Sequence, residues 1–193
     1  MTAQPLHPFG GAAAWPGPGA VPALRASARR LPAMLELSWT LASEGADLET
    51  LLRLPPTAPE PQRLDDLWRH TCFEAFVAGA DREPYLELNL SPAGDWNVYG
   101  LEGYRRGLKP LASTTGLPAR IDLQPRHLAL AVTLPLPADL AMAPLLAVGL
   151  TAVLEDRAGQ LTYWALHHPA AEADFHHRGG FTLLCPADDR GPR

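Results

Sequence analysis

The segments that decide the fold are Leu67–Phe76 (LWRHTCFEAF), Tyr85–Pro92 (YLELNLSP) and Trp96–Tyr99 (WNVY). Acidic, amide and aromatic side chains recur there at every second position, with apolar side chains between them. Because side chains alternate between the two faces of a β-strand, this pattern predicts neighbouring strands with one apolar and one polar face. Such a polar face either binds a polar ligand or is an ordinary solvated sheet face.

The rest of the chain also predicts short strands separated by turns. The 21 prolines are spread along the sequence and disfavour long helices. The predicted fold is therefore an all-β, antiparallel β-sandwich of about eight to ten short strands. Short helices are possible at 104–111 or 138–143. The predicted strands span 31–41, 48–54, 72–78, 85–90, 96–101, 120–124, 127–134, 148–155, 160–166 and 181–185, with hairpins at 72–90 and 148–166.

The composition divides the chain into three parts. Residues 1–22 are mostly Gly, Ala and Pro and predict a flexible lead-in. Residues 23–187 predict one sandwich domain, and residues 188–193 predict a tail. A length of 193 residues suits a single domain with a sizeable core.

The charge pattern argues against two classes of partner. The formal net charge is −5, whereas a nucleic-acid-binding domain would carry a basic patch. No Lys or Arg run would coat a membrane surface, and no apolar stretch is long enough to span one. The first residues lack the pattern of a secretory signal, so we expect a cytoplasmic protein.

Two glutamates mark the first candidate site. If the strands 72–78 and 85–90 pair as a hairpin, Glu74 and Glu87 lie close together on one face with Asn89. Two such carboxylates can act as acid and base, hold Ca²⁺, or accept hydrogen bonds from sugar hydroxyls. They can also be solvated, or pair with an arginine such as Arg105.

A second candidate site lies in the histidine-rich segment 163–178. His167, His168, Asp174 and His176 could form a Zn²⁺ or similar metal site, because neutral imidazoles and carboxylates are good metal ligands. Their spacing matches no strong metal motif, and the same residues can hydrogen-bond the backbone of a loop. The metal reading predicts a metal-dependent enzyme with Glu74 as base.

The tryptophans suggest a third kind of contact. Trp68, Trp96 and Trp164 lie beside polar residues near predicted strand ends. Indole rings stack on the apolar faces of carbohydrates, while Glu and Asn bind the hydroxyl groups. Plain core packing is the alternative for each of them.

The quoted segments, together with Tyr104–Arg105, Tyr163–His167 and Asp174–His177, resemble the bacterial DOMON-like proteins. These are related to the family 9 carbohydrate-binding modules, and the resemblance covers about Arg63 to Leu184. It implies a β-sandwich that binds a ligand without chemistry of its own. Relatives bind sugars or, through Met and His, haem, although no methionine falls in a matched segment.

We therefore expect a non-enzymatic domain that binds a saccharide or other small polar ligand. The predicted contacts are Trp68, Glu74, Glu87, Asn89, Trp96, Trp164 and His167. A metal ion, Ca²⁺ or Zn²⁺, is a possible cofactor, and haem is a further alternative.

Overall fold

Two antiparallel β-sheets form the body of the protein in the computed structural model, which describes residues 2–17 and 19–187. Within these residues the chain forms thirteen strands. They are β1 (Gln4–Pro5), β2 (His7–Pro8), β3 (Ala23–Leu31), β4 (Met34–Ala42), β5 (Cys72–Gly79), β6 (Tyr85–Leu90), β7 (Trp96–Leu101), β8 (Lys109–Pro110), β9 (Ala119–Gln124), β10 (His127–Pro135), β11 (Leu145–Glu155), β12 (Leu161–Ala165) and β13 (Leu183–Pro186).

The first sheet has the strand order β1-β3-β4-β10-β9. The second has the order β2-β12-β11-β5-β6-β7-β8, and β13 pairs with the first part of β11. The pairings between strands are antiparallel throughout. The predicted all-β, antiparallel sandwich is thus confirmed.

The main core lies between the two sheets. Trp39 of the first sheet is fully buried and packs against Phe73 of the second, with ring centroids 6.2 Å apart. Leucines alternate toward this core along β4 and β10, as the apolar positions of the sequence predict. Burial of this apolar interior is what holds the two layers together.

The helices are short and lie between strands. They are α1 (Leu48–Leu51) and α2 (Ala138–Ala141), with single 3₁₀ turns at Ala12–Ala14, Leu67–Arg69 and Arg178–Gly180. The predicted strand 48–54 is wrong, since α1 occupies its first half. Leu48, Leu51 and Leu52 are all buried, and their spacing of three and four residues is that of one helix face.

Two further predictions need correction. The predicted strand 31–41 is the end of β3 and most of β4, joined by a tight turn in which Ala33 is left-handed (φ 54°). Proline at 32 sets the start of that turn. The segment 104–111 contains no helix; Gly103 and Arg106 form a bridge, and β8 follows, whereas α2 lies inside the predicted 138–143.

The two ends of the chain differ in what the structure describes. Within the lead-in, β1 pairs with β3 of the first sheet and β2 pairs with β12 of the second. The tail 188–193 lies outside the described residues.

In the described part of the chain, no helix combines the length and apolar character needed to cross a membrane.

Candidate functional site

The register of β5 and β6 gathers the acidic side chains on the outer face of the second sheet. Glu74 lies opposite Asn89, and Glu87 lies opposite Phe76. Because positions two apart share a face, Glu74, Phe76, Glu87 and Asn89 all project to the side away from the main core. The hairpin expected from the sequence is confirmed, with the two glutamates on one face.

This outer face is covered by the chain. Phe181 packs on Phe76 and Tyr85, with ring centroids 5.8 and 5.7 Å away, and Phe175 lies 6.3 Å from Phe76. Gly149 allows this approach, since a Cβ there would lie 3.1 Å from the Phe181 ring. The segment 173–181, which we call the cover, thus forms a second small core on the outer face.

A cavity of about 370 Å³ remains between the sheet and the cover. Trp68 and Leu108 line it with 44% and 52% of their surfaces exposed. The lining residues are Trp68, Glu74, Phe76, Glu87, Arg105, Leu108, Val153, Tyr163, Ala173, Phe175 and His176.

The two carboxylates at the base of the cavity are buried with unpaired oxygens. Glu74 is 2% exposed, and its Oε1 has no hydrogen-bond partner. Glu87 is 4% exposed; its Oε1 accepts a 2.8 Å bond from Asn89 Nδ2, whereas its Oε2 has no hydrogen-bond partner. The hydroxyl of Thr151, opposite Glu74 on β11, is also unpaired. Since buried polar groups are nearly always paired, these atoms point to a ligand.

Burial makes these carboxylates resist ionisation. It raises the pKa of Glu74 well above its ordinary value, and the nearby charge of Glu87 raises it further. Burial also raises the pKa of Glu87, against the opposing effects of the Asn89 hydrogen bond and the Arg105 charge. The pair therefore gains from any ligand that donates hydrogen bonds or brings positive charge.

An ion pair ties the cover to the loop before β8. Asp174 accepts hydrogen bonds from the Tyr104 hydroxyl at 2.7 Å and from Arg105 Nη2 at 2.9 Å. Burial alone would raise the pKa of Asp174, but these hydrogen bonds and the Arg105 charge outweigh it and lower the pKa. Arg105 lines the cavity, but its guanidinium group forms its ion pair with Asp174 and not with Glu74 or Glu87.

His176 faces both the cover and the carboxylates. The Tyr85 oxygen accepts the Arg105 backbone N–H at 3.2 Å and lies 2.8 Å from His176 Nδ1, a hydrogen bond whose direction depends on the tautomer of the ring. The other ring nitrogen of His176, Nε2, lies 3.9 Å from Glu87 Oε2. Burial, followed by the Arg105 charge, lowers the pKa of His176 to about 4, which keeps the ring neutral near neutral pH.

The three predicted tryptophans do not lie together: Trp68 belongs to the 3₁₀ turn Leu67–Arg69, whereas Trp96 and Trp164 lie in β7 and β12. Trp68 borders the cavity, where Arg69 lies 5.1 Å from its ring centroid. Trp96 pairs with Leu90 and is 5% exposed, and Trp164 pairs with Ala152 and is 1% exposed. Both belong to the core between the sheets, so the prediction that they contact the ligand needs correction.

The remaining predicted ligand contacts also differ in position. Asn89 does not line the cavity but holds Glu87 through its amide. His167 is exposed and lies outside the lining. The structure therefore brings Trp68, Glu74 and Glu87 together in one cavity, with Asn89 behind them.

The predicted metal cluster is divided among separate contacts. His168 Nε2 lies 2.9 Å from the His7 carbonyl oxygen, Asp174 binds Arg105, and His176 binds Tyr85. Across residues 2–17 and 19–187, no group of three or more His, Cys, Asp and Glu is placed to hold a metal ion. His167, His168, Asp174 and His176 thus do not converge, and neither Met34 nor Met142 lines the cavity.

Several cavity residues were missed as ligand contacts. Phe76 and Tyr163 follow from strand parity once the hairpins are paired, because they project on the same face as Glu74. Phe175 and His176 come from the irregular cover, for which no local pattern predicts a position. Arg105, which with Arg63 and Arg69 was one possible partner of a glutamate, binds Asp174.

A larger cavity, of about 490 Å³, lies on the outer face of the first sheet. Its polar groups bond one another: Arg29 Nε donates to Glu36 at 2.7 Å, and the hydroxyls of Ser27 and Ser38 lie 2.8 Å apart. Polar groups that already bond one another contribute less free energy to the binding of a ligand than unpaired groups do. The cavity beside Glu74 is therefore the better candidate site.

No protein-family model and no curated protein matches the chain. Solved structures are similar to it. A proposed carbohydrate-binding protein from Bacteroides uniformis ATCC 8492 has a TM-score of 0.67 at 12% identity, over 97% of this chain and 87% of that one. A family 9 carbohydrate-binding module from Caldicellulosiruptor kristjanssonii has a TM-score of 0.52 at 9% identity with glucose bound, and 0.53 at 10% with cellotriose bound. Both of these matches cover 91% of this chain and 81% of the module. The chain therefore has the fold of the family 9 carbohydrate-binding modules.

Proposed function

We propose, for a chain with the fold of the family 9 carbohydrate-binding modules, that it binds a small saccharide in the cavity beside Glu74 and Glu87 without catalysis. One observation supports this most strongly. Two buried carboxylates with unpaired oxygens lie in the same cavity as the partly exposed Trp68. A saccharide presents to such a site both hydroxyl donors and an apolar ring face.

The cavity suits a ligand of about one or two sugar rings. Its volume of about 370 Å³ lies toward the lower end of the range for small-molecule sites, roughly 300–1,000 Å³. Sugar hydroxyls would donate to Glu74 Oε1 and Glu87 Oε2, and the ring would stack on Trp68. Phe175 and Tyr163 would supply further apolar contact from the cover and from β12.

The solved structures support binding rather than turnover, since the similar proteins are described as a carbohydrate-binding module and a proposed carbohydrate-binding protein. In this proposal the glutamates serve as hydrogen-bond acceptors, and the ligand leaves unchanged.

Isothermal titration calorimetry with glucose, cellobiose and cellotriose tests the proposal. We expect millimolar or tighter binding of at least one of them. Trp68→Ala should weaken it roughly five- to tenfold, which corresponds to the loss of about 1–1.5 kcal/mol of stacking. Met142→Ala is the matched control, because Met142 is 84% exposed and lies outside the cavity lining.

Two results would count against the proposal. One is that no saccharide binds at millimolar concentration to protein that is shown to be folded. The other is that Trp68→Ala binds the saccharide as tightly as the unsubstituted chain and Met142→Ala do.

A further inference from the structure

Resting on the saccharide binding proposed above, we infer that the sugar is an amino sugar, whose ammonium group binds between Glu74 and Glu87. The inference concerns the charge of the ligand, which neither the fold nor the similar structures specify. It follows from what surrounds the two carboxylates.

The carboxylates have no bonded counter-charge among the residues that the structure describes. No Lys or Arg forms an ion pair with either of them, and the nearest ionisable nitrogen is His176 Nε2, 3.9 Å from Glu87 Oε2. Arg105 enters the cavity lining but bonds Asp174 at 2.9 Å. A buried carboxyl group either holds a proton or pairs with a cation, so a ligand that brings a positive charge supplies the partner that the described residues do not.

The cavity walls also favour a cation. Trp68, Phe76, Tyr163 and Phe175 contribute aromatic rings to the same cavity as the two acids. An ammonium group is attracted to ring faces and to carboxylates at the same time. It also has three N–H donors, enough for the unpaired oxygens of Glu74, Glu87 and Thr151.

A neutral sugar would exchange hydrogen bonds with the two carboxyl groups but would not form the ion pair that an ammonium group forms with an ionised one. Two adjacent buried carboxylates without a cation hold protons, because burial and mutual repulsion disfavour the charged forms. When an ammonium group enters, a carboxylic proton leaves for solvent and the carboxylate that remains pairs with the ammonium. Binding of an amine is therefore coupled to proton release, whereas binding of a neutral sugar is not.

Other titratable groups near Glu74 and Glu87 also affect the protonation of these two carboxyl groups. Arg105 and Asp174 carry opposite charges that offset each other at 2.9 Å. The pKa of His176 is lowered to about 4 by burial and by Arg105, so its ring stays neutral above about pH 5. The remaining neighbours are a thiol and phenols, which are Cys72, Tyr85, Tyr99 and Tyr163.

Matched sugars test the inference. Calorimetry would compare glucosamine with glucose and N-acetylglucosamine at about pH 6, where the amine is protonated. Each titration would be repeated in buffers of different ionisation enthalpy, which measures the protons released. We expect glucosamine to bind about tenfold more tightly than either neutral sugar, with release of roughly one proton. Neither neutral sugar should release protons.

Variants locate the effect. Glu74→Gln and Glu87→Gln keep the shape of the side chain and remove the charge, so each should weaken glucosamine binding at least about fivefold more than glucose binding. Glu49→Gln, an exposed position on α1, is the control and should keep the preference.

Each outcome separates this inference from the proposed function. Equal affinity for glucosamine and glucose, or equal loss of both in Glu74→Gln and Glu87→Gln, overturns the amino-sugar inference and leaves saccharide binding in place. Failure of all three sugars to bind folded protein overturns both. A glucosamine preference with proton release that both variants abolish supports both.

Discussion

Glu74 is the residue whose ionisation most directly reports the state of the site. Its side chain is buried at the centre of β5, between Thr151 of β11 and Asn89 of β6. In the absence of a ligand its Oε1 has no hydrogen-bond partner, although the position is surrounded by polar groups. A buried carboxylate of this kind lowers the free energy of unfolding by an amount that depends on pH.

We predict that Glu74→Gln becomes more stable relative to the unsubstituted chain as pH rises above about 4.5. The ordinary pKa of the carboxyl is 4.5, and burial followed by the Glu87 charge raises it in the folded state. Over the interval between those two pKa values the folded state binds more protons than the unfolded state. The unsubstituted chain therefore loses up to about 1.4 kcal/mol of unfolding free energy per pH unit, and the glutamine variant lacks this term.

Urea unfolding of both proteins at a series of pH values measures this difference. Glu49→Gln shows the background effect of removing an exposed carboxylate from α1. A difference between Glu74→Gln and the unsubstituted chain that stays constant, or that shrinks as pH rises, would be inconsistent with a buried and uncompensated Glu74.

The sequence predicted the correct sheet face for some of the candidate site residues and the wrong face for others. The period of two placed Glu74, Glu87 and Asn89 on one face, because their spacing within each strand fixes it. Trp96 and Trp164 were wrongly predicted to contact the ligand. Successive side chains of a strand point to opposite sides of the sheet, and the sequence pattern indicated the wrong side for these two. Register decides which side is buried: Trp96 lies opposite Leu90, and Trp164 follows the exposed Tyr163.

At the scale of elements, the cover over the second sheet is held by polar contacts as well as by its aromatic rings. Asp174 receives three hydrogen bonds, from the Tyr104 hydroxyl, from Arg105 Nη2 and from the His176 backbone N–H at 3.1 Å. The bonds from Tyr104 and Arg105 tie the cover to the loop before β8, and the two segments form one side of the cavity.

We predict that Asp174→Ala loosens the cover. Loss of a charge-assisted hydrogen-bond centre should lower the unfolding free energy by about 1–3 kcal/mol. Amide hydrogen exchange in residues 173–178 should become faster, whereas exchange in the strands of the first sheet should follow only the global change in stability. Mass spectrometry of hydrogen exchange measures both.

Glu172→Ala is the control, because Glu172 is an exposed residue directly before the cover. It should change the unfolding free energy by less than about 0.5 kcal/mol. If Asp174→Ala leaves exchange in 173–178 as slow as in Glu172→Ala, Asp174 does not hold the cover in place.

Element prediction succeeded where the apolar pattern had a clear period. The strands from β5 to β7 and the hairpin of β11 and β12 were found because alternation continues along them. Residues 48–54 were mistaken for a strand because their leucines are too few to distinguish a period of two from one of 3.6. Residues 23–30 of β3 were missed because alanine and arginine occupy many of these positions.

At the scale of the whole molecule, the two faces of the second sheet have different roles. Its inner face completes the apolar core against the first sheet, and this packing determines the sandwich. Its outer face carries a smaller aromatic core and the cavity. The sandwich was predictable from the sequence because its apolar alternation is local. The cavity was not, since it depends on where the cover returns across β5 and β6.

The overall charge agrees with the inferred ligand. The chain has a formal net charge of −5, which favours the approach of a cationic sugar over an anionic one. This long-range effect weakens with salt, whereas the contacts of Glu74 and Glu87 inside the cavity are screened far less.

The most direct test of the central claim is a nuclear magnetic resonance titration of the tryptophan indole N–H signals with glucosamine, with glucose as the neutral comparison. Trp68 borders the cavity, whereas Trp15, Trp39, Trp96 and Trp164 belong to the main core. We predict that the Trp68 signal shifts in a saturable way and that the signals of the four core tryptophans change little. Saturable binding that leaves the Trp68 signal unmoved would contradict a saccharide site in this cavity.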